Sequence, residues 1–166
     1  DALHPNKIKE SIALAAQENS DLVITDFHMF KKDISHLRPV YCNLEEQTFT
    51  FETILLEWDT KYTIPIHCGL FKKELFTTIR FNEILKAKED WLMWISVFKL
   101  SIKTSFLNKK YAYYRVNLKG MTRDYVLMNQ NLIKAYNFIY QELNQEFQLK
   151  FFNKIIKDYN KEIIEL

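Results

Sequence analysis

The run Leu22-Val23-Ile24-Thr25 decides the fold class that the sequence predicts. It is short, largely apolar and rich in β-branched residues, which is typical of a strand buried on both faces of a sheet. A helical pattern comes directly before it, because Pro5 suits a first helical turn and apolar residues follow at helical spacing as far as Ala15. A helix that leads straight into a buried strand is typical of α/β proteins. The sequence therefore predicts an α/β fold.

The pattern of apolar and polar residues predicts further elements after an irregular stretch over 31–48. In chain order these are a helix over 49–58 with Thr50 as its N-cap, a non-helical stretch over 64–69, a short helix over 70–76, a helix that begins at Glu89-Asp90, two strands over 105–107 and 111–116 joined by a turn at 108–110, and amphipathic helices from Asp124 onward.

Composition excludes several classes of protein. The chain has 166 residues, of which 48% are hydrophobic and 27% charged, as expected for one ordinary globular domain. Lys and Arg total 23 against 21 Asp and Glu, and the resulting net charge of +2 does not favour a nucleic-acid binder. Two glycines are too few for a GxGxxG or GxxxxGK[ST] phosphate loop, and two cysteines are too few for a disulfide framework.

The adjacent acids Glu89 and Asp90 are the first candidate for chemistry. They have a simple structural interpretation, since acidic residues cap a helix and interact favourably with its dipole. They also suit a general base, because the bulky Trp91 and Trp94 would hold a carboxylate rigid and partly desolvated. On the residues alone, the capping role is favoured.

The stretch around His67 is the second candidate, because Cys68 and Gly69 follow it in a non-helical segment. A Cys–His nucleophile pair is disfavoured, since adjacent residues of a strand point to opposite faces. Arg115 and Arg123 have the planar charge that binds phosphate, although solvated surface arginines are the simpler interpretation.

The order of these features resembles the later part of an inverting family 2 glycosyltransferase with the GT-A fold. Asp1-Ala2-Leu3-His4-Pro5 resembles the tail of the acidic cluster that holds metal and sugar nucleotide in that family. Gly69-Leu70-Phe71-Lys72-Lys73-Glu74-Leu75 resembles its acceptor-side segment. Phe81-Asn82-Glu83-Ile84-Leu85, followed by Glu89-Asp90-Trp91, resembles the segment that carries its catalytic base. A Tyr-Arg motif follows at Tyr114-Arg115, with Asn117 in a position where the family commonly has His.

The resemblance implies an incomplete GT-A (nucleotide-diphospho-sugar transferase-like) fold over 1–123 and a C-terminal helical appendage over 124–166. It implies that Asp90 is the catalytic base and Glu89 its acidic neighbour. It also implies a donor and metal side formed by Asp1, Arg115 and Asn117, and an acceptor side formed by His67, Cys68, Gly69 and Trp91.

The implied reaction transfers a sugar from a nucleotide-sugar donor to a saccharide or lipid-linked acceptor with inversion, as in bacterial polysaccharide biosynthesis. A divalent cation, Mg²⁺ or Mn²⁺, is expected, with Asp1 as a weak ligand. Most of the metal-binding acids would belong to a nucleotide-binding half that precedes Asp1, and the chain without that half is expected to have little activity. A cytoplasmic location, peripheral contact with the inner face of the membrane and self-association are further expectations.

Two other functions stay open at this point. In the first, the chain is a non-catalytic α/β module that binds a partner through its aromatic C-terminal helices, and Asp90 is a solvated helix cap. In the second, it is a hydrolase that uses Asp90, His67 and a metal ion, although no ligand spacing in the sequence supports this.

Overall fold

The computed structural model describes residues 1–117 and 120–164, and it has the mixed α/β architecture that the sequence predicts. The regular elements, in chain order, are β1 (Ala2–Leu3), α1 (Lys7–Glu18), β2 (Leu22–Phe30), β3 (Leu37–Arg38), α2 (Phe51–Leu56), β4 (Gly69–Phe71), α3 (Glu89–Lys99), β5 (Thr104–Arg115), α4 (Tyr125–Gln141) and α5 (Gln145–Ile164).

Strand β2 is the centre of a five-stranded sheet with the order β1-β5-β2-β3. It runs parallel to β5 on one side, while β4 and β3 pair antiparallel with the first and last parts of its other side. Residues 22–27 are buried, as expected for a strand between two covered faces. Helix α1 packs on β2 and β5. The predicted strand over 22–25 is therefore correct but short, since the pairing with β5 continues it to Phe30.

The predicted hairpin over 105–116 is wrong, because β5 is one continuous strand. Its pairing with β2 shifts register between Thr25 and Phe27, opposite residues 107–112 of β5. Residues 108–110, whose polar side chains predicted the turn, are exposed and lie in β5 where the register shifts. A turn and a bulge have the same local polarity, and only the parallel partner β2 distinguishes them.

The predicted short helix over 70–76 is also only partly correct. Residues 69–71 form β4, whose Phe71 pairs with Leu22 of β2, and a 3₁₀ turn follows at Lys73–Thr77. The strand exists because the first part of β2 has an unpaired side that can accept another backbone, which local sequence does not reveal.

Three of the predicted helix starts agree with the structure, while α1 begins at Lys7, two residues after Pro5. Thr50 caps α2 in a capping box with Thr53, and the Asp124 carboxylate accepts a hydrogen bond of 3.0 Å from the backbone N–H of Leu127 at the start of α4. Helix α3 begins at Glu89, as the adjacent acids predict.

The aromatic residues of the C-terminal helices pack into the same core as α2 and α3. The ring of Trp91, fully buried in α3, stacks on Trp58 at 6.3 Å. Tyr136 of α4 and Phe151 of α5 contact the Trp91 ring at centroid distances of 6.1 and 6.0 Å. The apolar stripe of the predicted appendage is thus used largely within the molecule, while the boundary at residue 124 stays a prediction. Residues 165 and 166 of that segment lie outside the described range.

Gly69 provides a direct test of this packing. A Cβ built on Gly69 would lie 2.5 Å from Phe71 Cε2 and 3.0 Å from Trp94 Cη2, so Gly69→Ala forces one of these rings to move. We expect a loss of about 1–3 kcal/mol in the free energy of unfolding, measured by urea denaturation. Gly120→Ala is the comparison, since its Cβ would lie 3.2 Å from the nearest atom, the carbonyl oxygen of Asn117, and would require a smaller adjustment and a smaller loss of stability. Equal effects of the two substitutions would contradict the tight packing at Gly69.

Candidate functional site

Asp90 lies in the first turn of α3 and lines an open cavity of about 300 Å³. The cavity is bounded by Tyr41, Trp58, Asp59, Thr63, Pro65, Ala87, Lys88, Glu89, Asp90, Tyr114, Thr122 and Met128. These residues come from the loops around α2, from the start of α3, from the end of β5, from the segment leading into α4 and from the first turn of α4. The two acids that the sequence singles out therefore lie at a cavity, and not on a convex surface.

The Asp90 carboxyl group has a raised affinity for protons. Burial is the main cause, the adjacent charge of Glu89 adds to it, and together they raise the pKa of Asp90 from 3.8 to about 6. A hydrogen bond of 2.8 Å from the backbone N–H of Trp91 to Asp90 Oδ1 opposes the rise. A carboxylate with a pKa just below neutrality is ionised at pH 7 and still able to accept a proton, which suits a general base.

An ion pair borders Asp90. Lys88 Nζ lies 2.6 Å from Asp59 Oδ2, and both residues line the Asp90 cavity. Each has a positive φ, 63° for Asp59 and 67° for Lys88, which is uncommon for residues other than glycine. Such backbone strain is frequent at functional sites. The Lys88 charge lowers the pKa of Asp90 and the Asp59 charge raises it.

Aromatic rings form a second wall of the cavity. Tyr41 lies edge-on to Tyr114 at 6.4 Å, and Thr63 Oγ1 donates a hydrogen bond of 2.7 Å to the Tyr41 hydroxyl. The His67 ring stacks on Tyr114 at 6.1 Å, with an interplanar angle of 12°. Rings with polar tips suit a ligand that carries both C–H faces and hydroxyl groups.

The structure brings His67 and Asp1 together beside this wall. His67 Nδ1 lies 3.9 Å from Asp1 Oδ2, and Asp1 Oδ1 accepts a hydrogen bond of 2.7 Å from the backbone N–H of Arg115. Burial, with a smaller contribution from the positive charge of Lys7, lowers the pKa of His67 well below its usual value of 6.5. His67 is therefore neutral at pH 7, and its contact with Asp1 is not an ion pair there. A hydrolase that pairs His67 with Asp90 gains no support, because His67 does not line the Asp90 cavity.

The other donor-side candidates lie beyond the cavity. The guanidinium of Arg115 lies over the Phe30 ring at 5.2 Å, and Arg115 is exposed. Asn117, also exposed, accepts a hydrogen bond of 3.1 Å on its carbonyl oxygen from the N–H of Gly120. Neither residue lines the cavity with Asp90, and their predicted roles toward a donor stay predictions.

The side chains of two acceptor-side candidates, Cys68 and Trp91, are fully buried. Cys68 is in the core, and its carbonyl oxygen accepts a hydrogen bond of 2.8 Å from Lys7 Nζ. Trp91 donates a hydrogen bond of 2.8 Å from Nε1 to the carbonyl oxygen of Ile54. Neither side chain lines the Asp90 cavity, and the predicted acceptor-side roles of both residues stay predictions. Gly69 is partly buried and lies against the rings of Phe71 and Trp94.

The part of the chain that the structure describes has neither a cluster of metal ligands nor a helix that could cross a membrane. Within residues 1–117 and 120–164, no three His, Cys, Asp or Glu side chains converge as metal ligands. Asp1 contributes a single carboxylate, and the residues present do not fit a divalent cation site of their own. In the same part of the chain, no helix combines the length and the apolar character needed to cross a bilayer.

Several cavity residues were missed by the sequence analysis. Tyr41, Asp59, Lys88 and Met128 show no motif or spacing that relates them to Asp90, and they are up to 49 residues from it along the chain. The only available signal was the high aromatic content of 15%, which does not say which rings face a cavity.

Solved structures with a similar fold were found for nearly the whole chain. The crystal structure of S. aureus TarS 1–349 aligns with a TM-score of 0.60 and 17% sequence identity, covering 93% of this chain and 44% of that one. The same protein in complex with UDP-GlcNAc aligns with a TM-score of 0.64 and 18% identity, covering 92% and 45%. TarS is a glycosyltransferase. This chain has a glycosyltransferase-like fold.

The likeness is structural and partial. The chain spans less than half the length of the TarS structures that it matches. No protein-family model matches the sequence, and no curated protein matches it either.

Proposed function

We propose that this chain belongs to the catalytic domain of an inverting glycosyltransferase of the GT-A type, family 2, with Asp90 as the base. The observation that carries the proposal is the Asp90 carboxylate, partly buried on an open cavity with a pKa of about 6. A helix cap without a further role is normally solvated and has a lowered pKa, because hydrogen bonds to the carboxylate favour its charged form.

The reaction would be a single displacement. The acceptor hydroxyl donates a hydrogen bond to the Asp90 carboxylate, and its oxygen attacks the anomeric carbon of the donor sugar. The bond between that carbon and the diphosphate oxygen breaks, and the nucleoside diphosphate leaves with the electron pair. Asp90 keeps the proton, and the configuration inverts because attack and departure occur on opposite faces. Glu89 helps to keep the pKa of Asp90 high enough for the transfer.

Two observations support a sugar as the ligand of this site. The Tyr41–Tyr114 wall offers aromatic faces beside the base, together with hydroxyl and carboxylate oxygens. The structural neighbour TarS was crystallised with UDP-GlcNAc, which supports a nucleotide-sugar donor for a chain of the same fold. A saccharide or lipid-linked hydroxyl is the acceptor class that we propose.

We also propose that a divalent cation accompanies the donor and is held mainly by groups outside this chain. Among the described residues, no three potential ligands lie together, and Asp1 offers a single carboxylate. The chemistry that such an ion supplies, when bound, is neutralisation of the departing diphosphate charge.

Binding of a partner by the C-terminal helices is the second candidate function. Leu149, Phe152, Ile156 and Tyr159 of α5 are exposed, at 66, 51, 42 and 43% of their surface. Their spacing follows one face of the helix. Where the partner is a second copy of this chain, sedimentation of the wild type over a range of concentrations should show association, and Phe152→Glu should abolish it.

The transferase proposal is tested on the longest natural form of the protein with a panel of nucleotide sugars and Mn²⁺. We expect release of the nucleoside diphosphate from one donor and transfer of its sugar to an added acceptor. If no nucleotide sugar is bound or hydrolysed by the wild type, the proposal is wrong.

The Lys88–Asp59 pair should set the pH at which Asp90 becomes active. Lys88→Met removes a charge that lowers the pKa of Asp90, so the acid limb of the kcat/KM profile should move to higher pH. Asp59→Asn removes a charge that raises it, and the limb should move to lower pH. Met and Lys are similarly disfavoured at positive φ, so Lys88→Met should leave the backbone as it is. Lys86→Met, at an exposed lysine, is the control. Shifts in the same direction for both variants would contradict Asp90 as the titrating base.

A further inference from the structure

A second cavity of about 340 Å³ adjoins the cavity of Asp90. The two share four lining residues, namely Asp59, Lys88, Thr122 and Met128. From this shared border the second cavity extends along α4 to α5, where it is lined by Thr60, Tyr125, Asn129, Leu132, Tyr136 and Asp158. We call the second cavity the α4–α5 groove. A chain-like ligand with one unit beside Asp90 would have its next units in this groove.

The groove has the side chains that bind hydroxyl-rich ligands. Tyr125 is 71% exposed and presents a ring at the start of α4. Asn129, one turn later on the same helix, offers both amide donors and a carbonyl acceptor. Thr60 adds a hydroxyl oxygen that can accept a hydrogen bond, since it donates its own proton to the Glu57 carbonyl oxygen at 2.9 Å. An aromatic face with neighbouring amide and hydroxyl groups matches a saccharide or polyol, whose C–H and O–H groups alternate.

The charges of the groove are balanced within the protein. Asp59 is paired with Lys88 at 2.6 Å, and Asp158 is paired with Lys154 at 2.7 Å. Asp158 Oδ2 also accepts a hydrogen bond of 2.8 Å from the Tyr136 hydroxyl. Both lysines of these pairs are already neutralised by a carboxylate, so they do not attract a polyanion. Neutral hydroxyl groups can donate hydrogen bonds to the same carboxylate oxygens. The charge pattern therefore favours a neutral ligand over a phosphate-bearing chain or a nucleic acid.

We infer that the α4–α5 groove binds the units of a neutral, hydroxyl-rich acceptor chain that follow the unit beside Asp90. The assignment of that chain as acceptor rests on the proposed transferase function, while the binding of oligosaccharide to the groove does not. The groove makes the protein selective for acceptors of more than one unit, because only these contact both cavities.

Binding is measured on this chain with a ¹³C-methyl label on methionine, since Met128 borders both cavities. The probes are neutral glucose and N-acetylglucosamine oligosaccharides of one to five units. We expect the affinity of one series to rise at least tenfold between the monosaccharide and the tetrasaccharide, with movement of the Met128 signal. A double variant with Tyr125→Ala and Asn129→Ala should lose this gain.

The matched control is a double variant with Tyr140→Ala and Asn137→Ala, which removes the same residue types from exposed positions of the same helix outside the groove. It should bind like the wild type, and thermal unfolding of both double variants verifies that they are folded.

The inference is overturned if no oligosaccharide moves the Met128 signal, if affinity is independent of length, or if both double variants bind alike. Tighter binding of a phosphate-bearing oligosaccharide than of its neutral counterpart would overturn the ligand class. Transfer to a single-unit acceptor with no dependence on length would refute the groove and leave the transferase proposal intact. Length-dependent binding of an oligosaccharide without any sugar transfer would support the groove and contradict the transferase proposal.

Discussion

Replacing Asp90 with asparagine should abolish sugar transfer and, at the same time, make the protein more stable at neutral pH. Removal of a general base typically costs 10²–10⁴-fold in rate, so kcat should fall by about that factor. The asparagine oxygen can still accept the hydrogen bond from the N–H of Trp91, so this contact in the first turn of α3 is kept. The loss of activity would then come from the missing base and not from a damaged helix.

The gain in stability follows from the pKa of Asp90, which is about 6 in the folded protein and 3.8 without the fold. Because the folded state holds the proton more tightly, the free energy of unfolding of the wild type falls as the pH rises from about 4 to about 6. One pKa unit corresponds to about 1.4 kcal/mol, so a shift of about two units costs roughly 1–4 kcal/mol above pH 6. Asp90→Asn removes this cost, because asparagine does not ionise.

Urea unfolding of both proteins at pH 4 and pH 8 measures the effect. We expect near-equal stabilities at pH 4 and a more stable variant at pH 8. Glu83→Gln, which neutralises an exposed acid seven residues earlier, should alter neither activity nor the pH dependence. An Asp90→Asn protein that is inactive but equally or less stable at pH 8 would contradict the raised pKa. A variant with full activity would exclude Asp90 as the base.

Loss of Lys154 should destabilise the protein by about 3 kcal/mol. Lys154 is buried on α5, where Nζ donates hydrogen bonds of 3.0 Å to the Trp58 carbonyl oxygen and 2.7 Å to Asp158 Oδ2. It also lies over the Trp91 ring at 5.5 Å. Lys154→Ala leaves a carbonyl oxygen and a partly buried carboxylate without their partner, and removing one member of a buried pair typically costs 3–5 kcal/mol. Because Asp158 keeps some contact with solvent, the lower end of that range is expected.

Lys150→Ala is the matched control on the same helix. Lys150 lies one turn earlier and pairs with Glu52 at 2.9 Å and Glu146 at 3.1 Å on the surface. Surface pairs contribute about 0–1 kcal/mol, so this variant should unfold nearly like the wild type. Chemical denaturation of both variants provides the comparison. Equal losses would mean that α5 is not docked on Trp58 and Trp91.

The sequence predicted the elements that are specified by residues close to one another along the chain. The apolar run that begins at Leu22 identified the central strand, and Thr50, Glu89 and Asp124 identified three helix starts, because caps and dipoles act within a few residues. It failed at β4 and at the bulge of β5, where the partner strand β2 lies far away in sequence. A polar triplet is compatible with a turn and with a bulge until the partner is known.

The candidate site shows the same division. The sequence by itself determined the α/β class, the position of Asp90 at a helix start, and an order of segments that resembles a glycosyltransferase. Only the tertiary structure decided what surrounds that carboxylate, since Trp58, Tyr114 and Met128 come from three separate parts of the chain. The raised pKa of Asp90 and the groove beside it depend on those distant neighbours, because desolvation and cavity shape arise from residues that meet in space and not along the sequence.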